Sequence, residues 1–196
     1  MDPRQPLREI IAEPSVISFV RRFARAIRGS KHEQLWTLVE TGRVVKTIGK
    51  ADHVPVPDTG SQIVLLEIHQ HRITNVVRDA RASAFIHLTD IGGSFASGAR
   101  ALGTYMVVVD VPEMPYVVAT KFNETALGRL TRGDAGPLER LHSTIEATHA
   151  ASEKFRARTL GAATIHDMQH AYAELLPDLD FAVLGLSKRG PFPTLV

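Results

Sequence analysis

His69 and His71 stand two residues apart, just after the apolar run Gln62 to Ile68. On an extended segment alternate side chains project to one side, so both imidazoles can reach a single ion at about 2.0 to 2.1 Å. A zinc ion held by three protein ligands keeps one position open for water. The third ligand is expected from Asp90, on the far side of the segment that follows, with Asp79, closer in the chain, as the alternative. A carboxylate must then take the proton of the water that the metal acidifies. Glu33, just ahead of a strand-forming stretch, is the residue expected to do so. The chain has no cysteine, which removes thiolate ligands, Fe–S clusters, disulfides and a cysteine nucleophile together.

Other spacings carry less chemistry. His166 and His170 share one helical face at the four-residue spacing of a zincin helix, with Asp167 where that motif has Glu. Aspartate is a methylene too short for the water, and Ile165, Met168, Tyr172 and Leu175 make this stretch an ordinary amphipathic helix. Neither a phosphate-binding Gly-rich loop of the Walker type nor a Gly-x-Ser-x-Gly elbow occurs, so NTP hydrolysis and serine hydrolysis have no handle. Gly92-Gly93-Ser94 reads as a flexible helix entry. Arg21, Arg22, Arg25 and Arg28 line the polar side of the first helix and read as a solvated face.

The elements that must position these residues follow from periodicity. Val16, Phe19, Val20, Phe23 and Ile27 recur at helical spacing between Pro14 and Gly29, predicting a helix from Ser15 to Arg28. Gln34 to Val39 and Arg43 to Ile48 read as a hairpin turning at Glu40-Thr41-Gly42, and Gln62 to Ile68 as a buried strand that ends at His69. Periodicity is lost from Gln70 to Thr89, a loop long enough to suggest function. A short helix is expected within Asp90 to Leu102, then strands at Thr104 to Val111 and Tyr116 to Ala119. Helices are expected at Asn123 to Leu130, Pro137 to about Leu160 and Thr164 to Leu176. Phe181 to Leu186 adds a last strand, and Pro191 and Pro193 suggest a loose end. The class is α/β (α+β), with a sheet of about five to six strands, an N-terminal helix and a C-terminal helical extension.

This order, a helix, a Glu opening a hairpin, an apolar strand leading into His-x-His, a loop, and an Asp opening a helix, resembles the JAMM/MPN metalloprotease-like domain over roughly Ser15 to Thr120. The resemblance implies a cytidine-deaminase-like, MPN-like sheet as a core over residues 1–122, with residues 123–196 as a helical extension packed on the same domain. It implies that His69, His71 and Asp90 hold zinc and that Glu33 is the general acid/base. It also implies cleavage of a peptide or isopeptide amide bond by a zinc-activated water. The family's motif Pro is replaced by Arg72, and His87 stands three residues before Asp90 where the family has Ser. The hydrogen-bond donor to the oxyanion or to a zinc ligand then falls to His87 or Ser94, or to Ser83. The altered positions equally fit a metal-free MPN-like scaffold that binds another protein through the helices from Asn123 to Leu176.

Bulk properties frame both readings. At 196 residues, 44% hydrophobic and 22% charged, the chain can bury a core of its own. Net charge is only +2 and the basic residues are scattered, which argues against nucleic acid as partner, while a protein or peptide substrate is what the resemblance implies. The N-terminal MDPRQPLREII lacks the charge pattern of a secretory signal, and no apolar run reaches the roughly 18 to 20 residues that span a bilayer. A cytoplasmic location without membrane attachment is the expectation.

Overall fold

The computed structural model describes residues 1–2, 4–50, 54–71, 98–109, 116–150, 174, 176–187 and 190–193. Two helices, α1 (Leu7–Ala12) and α2 (Pro14–Ile27), precede the hairpin strands β1 (Gln34–Val39) and β2 (Val44–Ile48). Then come β3 (Val64–His71), the short helix α3 (Gly98–Ala101), β4 (Thr104–Val109) and β5 (Tyr116–Phe122). Helices α4 (Glu124–Thr131) and α5 (Gly136–Ala150) and strands β6 (Leu179–Ser187) and β7 (Gly190–Pro193) complete the described elements. No described helix is long and apolar enough to cross a membrane.

Among the described residues seven strands form one open sheet in the order β2-β1-β3-β4-β5-β6-β7. Every neighbouring pair is antiparallel except β3 and β4, which run parallel. The protein is therefore a mixed α/β fold. Helices cover both faces, because each strand alternates its side chains between two apolar clusters. One cluster joins α1 and α2 to Trp36, Leu66, Ile68, Met106, Val117 and Leu184. The other joins Ala101, Ala126, Leu127 and Leu141 of α3, α4 and α5 to Tyr105, Val107, Val118 and Val183.

Local chemistry explains the elements that frame the site. Pro14 occupies the first turn of α2, where its missing N–H costs nothing, and the chain leaves the helix through Gly29 at φ 74°. Phe19 and Phe23 meet Trp36 edge-on, with ring centroids 6.0 and 5.4 Å apart. Between β3 and β4 the strands run so close that a Cβ on Gly103 would stand 2.5 Å from the Val64 carbonyl oxygen, so only glycine admits this entry into β4.

Three expectations are corrected. Among the described residues the sheet has seven strands, one beyond the five to six expected. β3 continues to His71, so His69 lies inside the strand: β4 alongside supplies the ladder that polar Gln70 and His71 do not advertise. The C-terminal prolines are not in a loose end, since Pro191 and Pro193 pair with Leu186 and Leu184 on the edge strand, where a missing N–H can face away from the ladder. The stretch after residue 123 thus contributes two strands to the sheet as well as helices.

Candidate functional site

The register of β1, β3 and β4 lines polar residues along one face of the sheet, the face covered by α3, α4 and α5. Leu35 pairs with His69 and Thr37 with Glu67 across β1 and β3, while Glu67 pairs with Tyr105 and His69 with Val107 across β3 and β4. Continuing the β1–β3 register to the next residue of the same face sets position 33 against position 71. Glu33 is fixed there by its backbone: its N–H donates to the Lys50 carbonyl at 2.8 Å, and its own carbonyl accepts from Gly49 N–H at 2.9 Å.

Glu33 and His69 are both buried, at 3% and 7% exposure. His69 Nε2 lies 3.3 Å from Glu33 Oε2, and Nδ1 lies 3.4 Å from the Tyr105 hydroxyl. Against an ionised carboxylate, which can only accept, Nε2 is the donor and the Tyr105 O–H donates to Nδ1. In the opposite tautomer the same hydroxyl accepts from Nδ1–H, but Nε2 is then an acceptor and keeps its bond to Glu33 only if that carboxyl carries a proton. The ring is thus held between two oxygens, and its tautomer is tied to whether Glu33 carries a proton.

One step down the same face, Glu67 is a second buried carboxylate. Its Oε2 accepts from Thr37 Oγ1 at 2.9 Å and from Arg100 Nη1, and Arg100 Nη2 donates to the Pro57 carbonyl at 2.9 Å. A buried ion pair supplied with additional hydrogen bonds is the arrangement that offsets the cost of taking both charges out of water. It ties β1, β3, α3 and the segment before β3 together beneath His69.

The structure therefore brings together Glu33 and His69. It places the backbone of His71 at the end of β3, opposite Val109. Asp79, His87, Asp90 and Ser94 lie outside the described residues, as do Ser83, Asp167 and the His166/His170 pair. Among the described residues no group of three His, Asp or Glu side chains is gathered closely enough to hold a metal ion. Tyr105, Glu67 and Arg100 were not anticipated as site residues. Glu67 had a signal, a charge inside an otherwise apolar strand and two residues before His69, hence on its face.

No family model matches the chain, and no curated protein matches it. Among solved structures, the Trichoplax adhaerens STIL N-terminal domain is similar over 55% of this chain and 39% of that one, at 12% identity and a TM-score of 0.19. An overlap of that size does not define a shared fold.

Proposed function

We propose that this chain is a zinc-dependent hydrolase of peptide or isopeptide amide bonds, built on an MPN-like α/β scaffold, with Glu33 as its proton carrier. The observation that carries the reading is the burial of Glu33 against His69, 36 residues apart in the chain and 3.3 Å apart in space. A carboxylate and an imidazole share a buried site on the polar face of the sheet, and the backbone of β3 carries His71 two residues beyond His69.

The donor chemistry suits zinc. A metal-ligating histidine commonly has an oxygen partner on its other ring nitrogen, which fixes the ring and its tautomer. Tyr105 stands in that position on Nδ1, leaving Nε2 directed toward Glu33. Zinc, when bound by His69, His71 and Asp90 (or Asp79), would supply a Lewis acid that polarises the scissile carbonyl and acidifies water. Glu33 Oε2 accepts a proton from the attacking water and returns it to the leaving amine nitrogen. The Glu67–Arg100 pair acts on the site by holding β1 and β3 in register.

A second reading has its own observation. Both ring nitrogens of His69 already lie within hydrogen-bond distance of protein oxygens, as in a polar cluster that is complete without metal. On that reading the chain is a scaffold whose helices from Asn123 onward receive a protein partner.

Metal content of the purified native chain separates the two. About one zinc per chain, lost from a His69→Ala/His71→Ala variant, and an EDTA-induced fall in melting temperature support the hydrolase, because a ligand bound only to the native state stabilises it. In that case Glu33→Ala should retain zinc and lose cleavage of peptide and isopeptide reporters. A chain that takes up no zinc when supplied with it, and melts identically in EDTA, refutes the hydrolase and favours the scaffold.

A further inference from the structure

We propose that the outer face of α2 binds the sugar-phosphate backbone of nucleic acid. This surface lies on the helix layer opposite Glu33 and His69, so the proposal does not rest on the hydrolase reading.

Arg21, Arg22, Arg25 and Arg28 are all exposed, and Lys31 follows just beyond the helix, also exposed. No Asp or Glu occurs between Glu13 and Glu33. Among the described residues none of these five cations enters an ion pair. Instead they neighbour one another: Arg25 is one helical turn from Arg21, Arg22 and Arg28, and like charges at those spacings repel. The helix dipole accounts for cations in the last turn and at its cap, where Arg25 and Arg28 stand, but not for Arg21 and Arg22 in the turn before. The expectation of a solvated face, drawn from the small net charge and scattered basic residues of the whole chain, does not account for this local concentration without an acidic residue from 14 to 32. A polyanion does.

Three observations choose among polyanions. The apolar side of α2, Val16, Phe19, Val20, Phe23 and Ile27, is buried in the core, leaving no stripe to enter a bilayer. The basic face presents no apolar or aromatic anchor of the kind that carries protein interfaces. Its cations on the helix are all arginines, whose planar fork grips phosphate through two hydrogen bonds. From Arg21 to Arg28 the row runs about 10 Å at the α-helical rise, the length of about three nucleotide steps. Contact with the backbone alone, without base readout, is what such a row supplies.

The test is fluorescence anisotropy of the full chain with a labelled oligothymidylate of about 20 nucleotides and a duplex of the same length, from roughly 50 to 200 mM KCl. Four phosphate contacts predict a log–log salt slope of about −3 for the single strand and somewhat steeper for the duplex. The Arg21→Gln/Arg22→Gln/Arg25→Gln/Arg28→Gln variant should lose at least about tenfold in affinity. Its melting temperature should stay close to the parent's, since the relief of mutual repulsion offsets the loss of the Arg22 contact with the Phe19 ring, the Arg25 bond to the Arg21 carbonyl and the Arg25 charge at the helix end. No binding at the lowest salt overturns the proposal, as does equal affinity of the variant. Displacement by polyglutamate or anionic vesicles as effective as by unlabelled oligonucleotide, at matched charge, also overturns it and assigns the face to those surfaces.

Discussion

Lys121 offers the most quantitative check on the packing of the sheet. It sits in β5 at 1% exposure, and its Nζ donates to the Leu102 carbonyl at 3.2 Å. Burial pulls its pKa down from 10.5 to about 8, against the attraction of Asp2 and Asp180. Below pH 8 both the folded and the unfolded chain carry the proton, so the cost of burying the charge is borne in full. Between pH 8 and 10.5 the unfolded chain keeps the proton that the native chain has released, and stability rises with pH. At 1.36 kcal/mol per unit the whole effect is about 3 kcal/mol. Lys121→Met removes it. At pH 7 the variant gains that relief but loses a charge-assisted hydrogen bond of about 1.5 to 3 kcal/mol, so it should match or exceed the parent by up to about 1.5 kcal/mol. The sharper expectation concerns pH: the variant's advantage should shrink by about 3 kcal/mol between pH 7 and 10.5. Urea unfolding followed by the fluorescence of Trp36, the single tryptophan, measures it. A difference between parent and variant that stays constant across that range would show Nζ to be hydrated, and the β5 environment described above to be wrong.

Two further variants test the polar face. Arg100→Ala leaves Glu67 buried with its cation removed and should cost about 3 to 5 kcal/mol in denaturant, whereas a loss below about 1 kcal/mol would mean that the pair is solvated. Tyr105→Phe removes only the hydroxyl on His69 Nδ1. On the hydrolase reading it should weaken zinc binding about 10- to 100-fold by competition with a chelating dye, while costing the metal-free chain only about 1 kcal/mol. Unchanged zinc affinity would remove Tyr105 from the site.

The hairpin, α2 and the core of β3 were legible because each repeats its apolar residues at the period of its own secondary structure. His69 at a strand end was the natural reading of Ile68-His69-Gln70-His71, since three polar residues in succession look like a loop. What overrode it was tertiary: β4 pairs in parallel through His71 and Val109, a partner more than thirty residues away that local pattern cannot announce. Pro191 and Pro193 misled in the same way, because proline's penalty applies to the interior of a sheet and β7 is an edge. Glu33 and His69 were legible as neighbours only through their order along the elements. Tyr105 was hidden in the apolar run TYMVVVDV, where one hydroxyl becomes informative only after the β3–β4 register sets it beneath His69.

The two carboxylates on this face are held in physically different ways, and that difference argues for where function sits. Glu67 faces a guanidinium, which never gives up its proton, so its pairing is fixed and its role is to secure the strands. Glu33 faces an imidazole whose proton can reside on either nitrogen, backed by a hydroxyl that can donate or accept. Changing the tautomer of His69 therefore leaves Nδ1 satisfied but turns the Nε2 lone pair toward Glu33, so it requires a proton on that carboxyl or a cation at Nε2. A purely structural buried histidine would gain nothing from that latitude, and a carbonyl on Nδ1 would hold it in one state more firmly. On the hydrolase reading, a group that passes between a carboxylate and an incoming ligand needs both states to be accommodated, and on β3 that group is His69, two residues beyond the pair that locks the strand.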